Sequence, residues 1–172
     1  MMKLAVIVAT TVMFAVLLFP VQAIIPVKGA DCNDWNAKTF WFEPWGISAV
    51  HKGIDIFAQS GTRVMSATGG LVLYTGEIAR GGKVVAILGP KWRLHYYAHL
   101  DEISPDTSGW LTQGESIGTV GSTGNAINKP AHLHYSVMSL IPYPWLFSKE
   151  TQGWKKMFYL DPAAQFAQCV NR

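Results

Sequence analysis

The sequence predicts a mainly β fold, an antiparallel sheet or sandwich that ends in a short C-terminal helix. Between Gly61 and Leu100, short runs of β-forming residues alternate with Gly and Pro, and no long helical periodicity interrupts them. The length of 172 residues, with 49% hydrophobic and 15% charged residues, suits one globular domain with a sizeable core. The formal net charge of +3 is modest and the basic residues are scattered, which argues against a nucleic-acid-binding surface.

The first 23 residues have the order of a secretory signal peptide. Lys3 precedes the uncharged run 4–19, and a small-residue pattern ends at Ala23. We therefore predict cleavage after Ala23 and export to the periplasm, the cell envelope or the medium. The alternative is an uncleaved membrane anchor, because the run approaches the roughly 18 residues that mark a spanning helix.

We divide the remaining chain into a linker at 24–44, one domain at 45–160 and a C-terminal helix at 161–172 that packs on this domain. Asp161 as N-cap and Pro162 at the first helical position predict the helix. The helix is expected to close the fold and to have no role in the chemistry.

Two cysteines lie near opposite ends of the exported chain. Cys32 and Cys169 have no CxxC partner and no zinc-knuckle spacing. We predict a disulfide between them, with two unpaired buried thiols as the alternative.

The first two candidate metal ligands lie in one short segment. His51 and Asp55 are four residues apart, and a fully extended backbone would separate them by roughly 13 Å. Convergence on one metal ion therefore requires a bend, which Gly53 permits between them. The HxxxD spacing alone is more often structural than functional.

The segment 93–100 reads as a further strand. Alternation predicts that His95, Tyr97 and His99 share one face, which would look into the same cleft as the other candidate residues. For His95 a packing or surface role is favoured over a role in the site.

The last candidate strand carries two histidines two residues apart. His132 and His134 should point to the same side, while Leu133 turns into the core. This pair would complete a metal site if His51 and Asp55 arrive from elsewhere.

Taken in order, these segments resemble the signature motifs of the lysostaphin-type (LytM-like) zinc metallopeptidases. The matching motifs are His51-Lys52-Gly53-Ile54-Asp55, Tyr97-Ala98-His99-Leu100, Gly121-Ser122-Thr123-Gly124 and His132-Leu133-His134. The similarity extends from Trp45 to Val137, whereas the flanks match poorly. Within this resemblance, the segment 140–159 looks inserted; it is expected either to shape substrate access or to pack beneath the sheet.

The resemblance implies a lysostaphin-like fold of the duplicated hybrid motif type and one Zn²⁺ per chain. It implies that His51, Asp55 and His134 ligate zinc, while His99 and His132 flank a zinc-activated water. The implied activity is hydrolysis of peptide cross-links in bacterial peptidoglycan, with peptidoglycan peptides as the partners. Two rival interpretations are a catalytically inactive member that binds cell wall or activates an amidase, and a structural zinc module. The ligand set suits zinc but also admits Mn²⁺ or Co²⁺.

Overall fold

The computed structural model describes residues 21–167 and residue 169, which form a nine-stranded antiparallel sheet. The strands are β1 (Ile54–Phe57), β2 (Arg63–Met65), β3 (Gly70–Ile78), β4 (Gly82–Gly89), β5 (Arg93–Ile103), β6 (Trp110–Leu111), β7 (Ser116–Val120), β8 (His132–Ser139) and β9 (Tyr159–Leu160). The main order is β1-β8-β5-β4-β3-β6; β7 pairs with β2 and β5, and β9 lies beside β8. The predicted fold class is confirmed.

Most of the predicted signal peptide, residues 1–20, lies outside the described part of the chain. Among the described residues we find no helix with the length and apolar character needed to cross a membrane.

Strand β8 and its neighbour β1 separate the core from the candidate site by simple alternation. In β8, Leu133 and Tyr135 are fully buried in the core, while His132 and His134 face the opposite side. The β1 strand is paired with β8 residue for residue, so Asp55 lies opposite His134 and faces the same side.

The β5 strand departs from the predicted alternation because it contains a bulge. The register between β4 and β5 shifts near His99, which places two residues of β5 opposite Val84. His99 has a left-handed φ of 65°, and its N–H donates to the Gly81 carbonyl at 2.8 Å. His95 and Tyr97 are consequently fully buried, whereas His99 lines the groove on the other side. The prediction that all three share one face is wrong.

The segment expected as a linker packs on the domain over its first half. Ile25, Val27 and Trp35 are buried in the core, and Val27 forms an antiparallel bridge with Val64 of β2. The Trp35 ring also packs edge-on against Phe166, with ring centroids 5.4 Å apart. These contacts make residues 23–35 part of the fold, and 24–44 is not a free linker.

The C-terminal helix is reduced to one 3-10 turn, Ala163–Gln165. The turn begins one residue later than predicted, with Pro162 at its N-cap position, although Asp161 Oδ1 still accepts from the Ala163 N–H at 3.0 Å. Phe166 then adopts an extended backbone, is fully buried and bridges to Ala23, which ends the turn. Burial of this ring thus prevails over the local helical preference.

The structure contains the Cys32–Cys169 disulfide, with the two Cα atoms 5.9 Å apart. Both cysteines are partly buried against the hydrophobic core. The bridge therefore fastens the N-terminal segment to the last turn of the chain.

His95 is a buried histidine of the core, and we expect it to make folding depend on pH. Its Nδ1 is hydrogen-bonded to Tyr135 Oη at 2.6 Å. Burial, together with the nearby charge of Arg93, lowers the pKa of His95 from 6.5 to about 4. Below about pH 6.5, His95 is therefore protonated in the unfolded chain but neutral in the folded chain. The free energy of unfolding falls as the pH drops from about 6.5 to about 4.

This loss amounts to roughly 2–3 kcal/mol for one buried imidazole. This loss can be measured by urea unfolding of the wild type and of His95→Gln at pH 7.5 and at pH 4.5, with chelator present. The variant should lose less stability than the wild type over that interval. Equal losses in both proteins would show that another group controls the acid sensitivity.

Candidate active site

Three potential metal ligands converge on the exposed side of β1 and β8. His51 precedes β1, and its Nε2 lies 3.2 Å from Asp55 Oδ1 and 3.1 Å from His134 Nδ1. His134 Nδ1 lies 2.8 Å from the same carboxylate oxygen. The ligand atoms all lie within 4.8 Å of one another, as a three-ligand metal site requires.

The surroundings of His51 orient its ring for metal binding. Its Nδ1 lies 3.0 Å from the Thr39 carbonyl, which can only accept, so the proton sits on Nδ1 and the Nε2 lone pair faces the other ligands. Trp45 stacks on the imidazole with ring centroids 4.1 Å apart. This contact places Trp45 in the groove wall.

Asp55 is held in its ionised form. Burial alone would raise the pKa of this carboxyl, but the adjacent imidazoles of His134 and His51 outweigh this effect and hold the pKa well below its usual range. A carboxylate that is charged at neutral pH is the form that binds a divalent cation.

Two further imidazoles lie beside this cluster without belonging to it. The His99 and His132 rings are 5.1 Å apart, and the His99 ring is 6.0 Å from that of His134. Each donates its Nδ1–H to a backbone carbonyl, His99 to Thr123 at 2.9 Å and His132 to Pro130 at 2.7 Å. Their Nε2 atoms therefore carry the lone pairs.

Burial also keeps His99 neutral. Together with the neighbouring imidazoles of His134 and His132, it lowers the pKa of His99 from 6.5 to about 4. At neutral pH this side chain is therefore unprotonated at Nε2.

The five residues line an open groove with a volume of about 470 Å³. Tyr96 and Ala98 of β5 also line this groove, although neither was predicted to do so from the sequence. Burial raises the pKa of Tyr96 to about 12, so its hydroxyl remains a hydrogen-bond donor at neutral pH. Tyr96 and Ala98 face the groove by alternation with the buried His95 and Tyr97, and the bulge turns His99 to the same side.

The divergent segment 140–159 supports one wall of the groove from behind. Trp41 Nε1 donates to the Thr151 carbonyl at 3.3 Å, and Gln152 Nε2 donates to the Ser48 carbonyl at 3.2 Å. The segment thereby contacts the loop that carries Trp45.

Gly53 provides the bend between His51 and Asp55, and its lack of a side chain is required by packing. A Cβ there would lie 2.5 Å from the Tyr135 carbonyl oxygen and 3.0 Å from the His134 ring. We expect Gly53→Ala to push β1 away from β8, to lower stability by about 1–3 kcal/mol and to weaken metal binding at least tenfold. Metal titration and urea unfolding measure both effects.

Gly69→Ala is the matched control for this substitution. A Cβ at Gly69 would lie no closer than 3.4 Å to any neighbour, and this glycine is not in the left-handed region. It should change neither quantity appreciably, whereas Gly53→Ala with unchanged metal affinity would contradict the assigned close packing.

Fold and site together define a β protein with a candidate three-ligand metal centre in an open groove. The sequence profile of Peptidase family M23 matches residues 49–143, more than half of the chain. This chain belongs to Peptidase family M23.

Similar proteins include both a hydrolase and an activator. The L-Ala--D-Glu endopeptidase of Bacillus subtilis (strain 168) is 31% identical over 141 residues, which cover 72% of this chain and 43% of that protein. The murein hydrolase activator NlpD of Escherichia coli (strain K12) is 30% identical over 105 residues, which cover 60% of this chain and 27% of that protein. The chain thus spans less than half the length of either relative.

The fold is shared with a solved peptidase domain. The catalytic domain of the antimicrobial peptidase lysostaphin from Staphylococcus simulans matches with a TM-score of 0.51 and 28% identity. The match covers 55% of this chain and 72% of that domain.

Proposed function

We propose that this chain is an exported zinc endopeptidase that hydrolyses peptide cross-links in bacterial peptidoglycan. One observation carries the proposal: the ligand atoms of His51, Asp55 and His134 lie within 4.8 Å of one another in a groove that also presents two further imidazoles. The Cys32–Cys169 disulfide supports export, because such bonds persist in oxidising compartments.

The ligand set suits zinc in a catalytic role. Two imidazoles and one carboxylate are borderline ligands, and three protein ligands leave the fourth tetrahedral position open. When bound there, zinc would lower the pKa of a water molecule towards roughly 7 and polarise the scissile carbonyl.

His99 and His132 supply the proton transfers. An imidazole with Nδ1–H donated to a carbonyl can take the proton of the attacking water at Nε2. The protonated ring can then stabilise the developing oxyanion or return a proton to the leaving amine. We assign these two tasks to the pair His99 and His132, both of which line the groove.

The similarity to NlpD makes a catalytically inactive activator the second candidate. Such a member is expected to lack one or more metal ligands. The presence of the complete ligand set and of both flanking histidines favours the enzyme.

Digestion of cross-linked muropeptides tests the proposal. Purified, zinc-loaded chain should convert cross-linked dimers to monomers, as resolved by liquid chromatography and mass spectrometry, and His134→Ala should not. If the folded, zinc-loaded chain leaves the dimers intact but stimulates a purified amidase, the activator function replaces the proposed one.

A further inference from the structure

The groove around the candidate metal ligands is lined by cationic side chains. Lys52, Arg80 and Lys129 lie along it, whereas Asp55 is the sole carboxylate among the described residues that line it. Asp55 is already engaged by two histidines. No carboxylate within residues 21–167 lies in ion-pair distance of the three cations, so their charge is uncompensated.

Lys52 belongs to the wall that carries His51 and Trp45. Its Nζ donates to the Ser48 carbonyl at 3.0 Å and to that of Val50 at 3.4 Å, which leaves one N–H for a ligand. These hydrogen bonds hold the ammonium group of Lys52 at the groove, where the structure gives it no carboxylate partner among the described residues.

Arg80 lies in the tight turn between β3 and β4, which packs closely on the next loop. The Arg80 carbonyl accepts from the Asn125 N–H at 2.9 Å. A Cβ at Gly124 would lie 2.3 Å from the Gly82 nitrogen and 2.4 Å from the Arg80 oxygen, so a larger residue cannot occupy this contact. The backbone position of Arg80 at the groove edge is therefore fixed by packing.

Lys129 lies at the end of the same loop, next to the catalytic candidates. Its N–H donates to the Ala126 carbonyl at 2.9 Å. The following residue, Pro130, supplies the carbonyl that holds His132 Nδ1 at 2.7 Å. Lys129 and Arg80 therefore both belong to the side of the groove that is formed by this loop and the β3–β4 turn.

We infer that this groove selects anionic peptides, with Lys52, Arg80 and Lys129 binding substrate carboxylates. The inference rests on the proposed function for the identity of the bond that is cleaved. A groove of uncompensated positive charge attracts carboxylates, and a guanidinium fork can bind one in bidentate fashion. Stem peptides with free carboxylates meet this requirement, whereas a neutral oligoglycine bridge does not.

Two substrates of nearly equal size isolate the effect of charge. One is a cross-linked muropeptide dimer with free α-carboxylates, and the other is the same dimer with those groups amidated. At low ionic strength the wild-type chain should prefer the free carboxylates about three- to tenfold, in Kd by calorimetry and in kcat/KM. Added salt should reduce the preference, because screening weakens the attraction.

A charge-removal variant assigns the preference to the groove. Lys52→Gln/Arg80→Gln/Lys129→Gln should bind both dimers alike. The control Lys28→Gln/Lys38→Gln/Arg63→Gln removes the same charge from exposed positions that do not line the groove, and it should retain the preference. If the groove variant fails to fold, the comparison of the two dimers with the wild-type chain alone decides whether the groove selects by charge.

The outcomes separate this inference from the proposed function. Equal binding and cleavage of both dimers by the wild type overturns the charge selection and leaves the peptidase standing. A preference that persists in the folded groove variant overturns the assignment to these residues. Selective binding without cleavage supports the charge selection and overturns the peptidase.

Discussion

His134→Ala should abolish both zinc binding and peptidase activity, whereas His132→Ala should abolish activity alone. The two side chains share one face of β8, but only His134 reaches Asp55, at 2.8 Å. His132 instead donates Nδ1–H to Pro130 and turns Nε2 to the groove. We expect His132→Ala to lower kcat/KM by about 10²–10⁴-fold, the usual contribution of a general acid–base group.

Metal content after dialysis and cleavage of cross-linked muropeptides measure the two properties on the same samples. The two variants control for each other, since both remove one imidazole from one strand. Stoichiometric zinc retained in His134→Ala would overturn the ligand assignment. Zinc lost from His132→Ala would place that side chain among the ligands.

Removing the disulfide should produce the largest loss of stability among these predictions. Cys32 and Cys169 are 137 residues apart, and closing so long a loop stabilises a fold by about 4–5 kcal/mol on the chain-entropy model. The bridge also holds the segment that buries Val27 and Trp35 in the core.

Urea unfolding of Cys32→Ser/Cys169→Ser, with and without reductant, measures this contribution. The double variant should unfold at lower urea than the wild type and should not respond to reductant. The wild type should approach the variant once it is reduced. Equal midpoints for the oxidised wild type and the variant would show that the bridge contributes nothing to folding.

The sequence could predict those parts of the site that depend on local alternation. Residues two apart on a strand must share a face. The sequence therefore predicted that His132 and His134 lie on the same side and that Leu133 is buried. The bend at Gly53 was readable for a similar reason, because an extended chain cannot bring His51 to Asp55.

Features that depend on distant contacts could not be read. The bulge at His99 follows from its pairing with β4 and with Gly81, and it turns His99 to the groove side of the sheet, which Tyr96 also faces. The C-terminal turn ends early because Phe166 buries its ring against Trp35, which is 131 positions earlier in the chain. That contact also places Trp35, which lies in the segment predicted as a linker, in the hydrophobic core.

The orientation of the histidine rings could not be predicted from the sequence either. Thr39, Thr123 and Pro130 fix three imidazoles through backbone carbonyls, which any residue type could supply. These contacts assign the proton to Nδ1 in His51, His99 and His132, and leave the lone pair of each ring on Nε2.

The most direct test of the central claim is an anomalous-scattering map of the zinc-loaded crystal, recorded at the zinc absorption edge. We predict a single peak per chain in contact with His51 Nε2, His134 Nδ1 and an Asp55 carboxylate oxygen, with no fourth protein ligand. A peak elsewhere, or one that is also bound by His132 or His99, would contradict the assignment of an open catalytic zinc site.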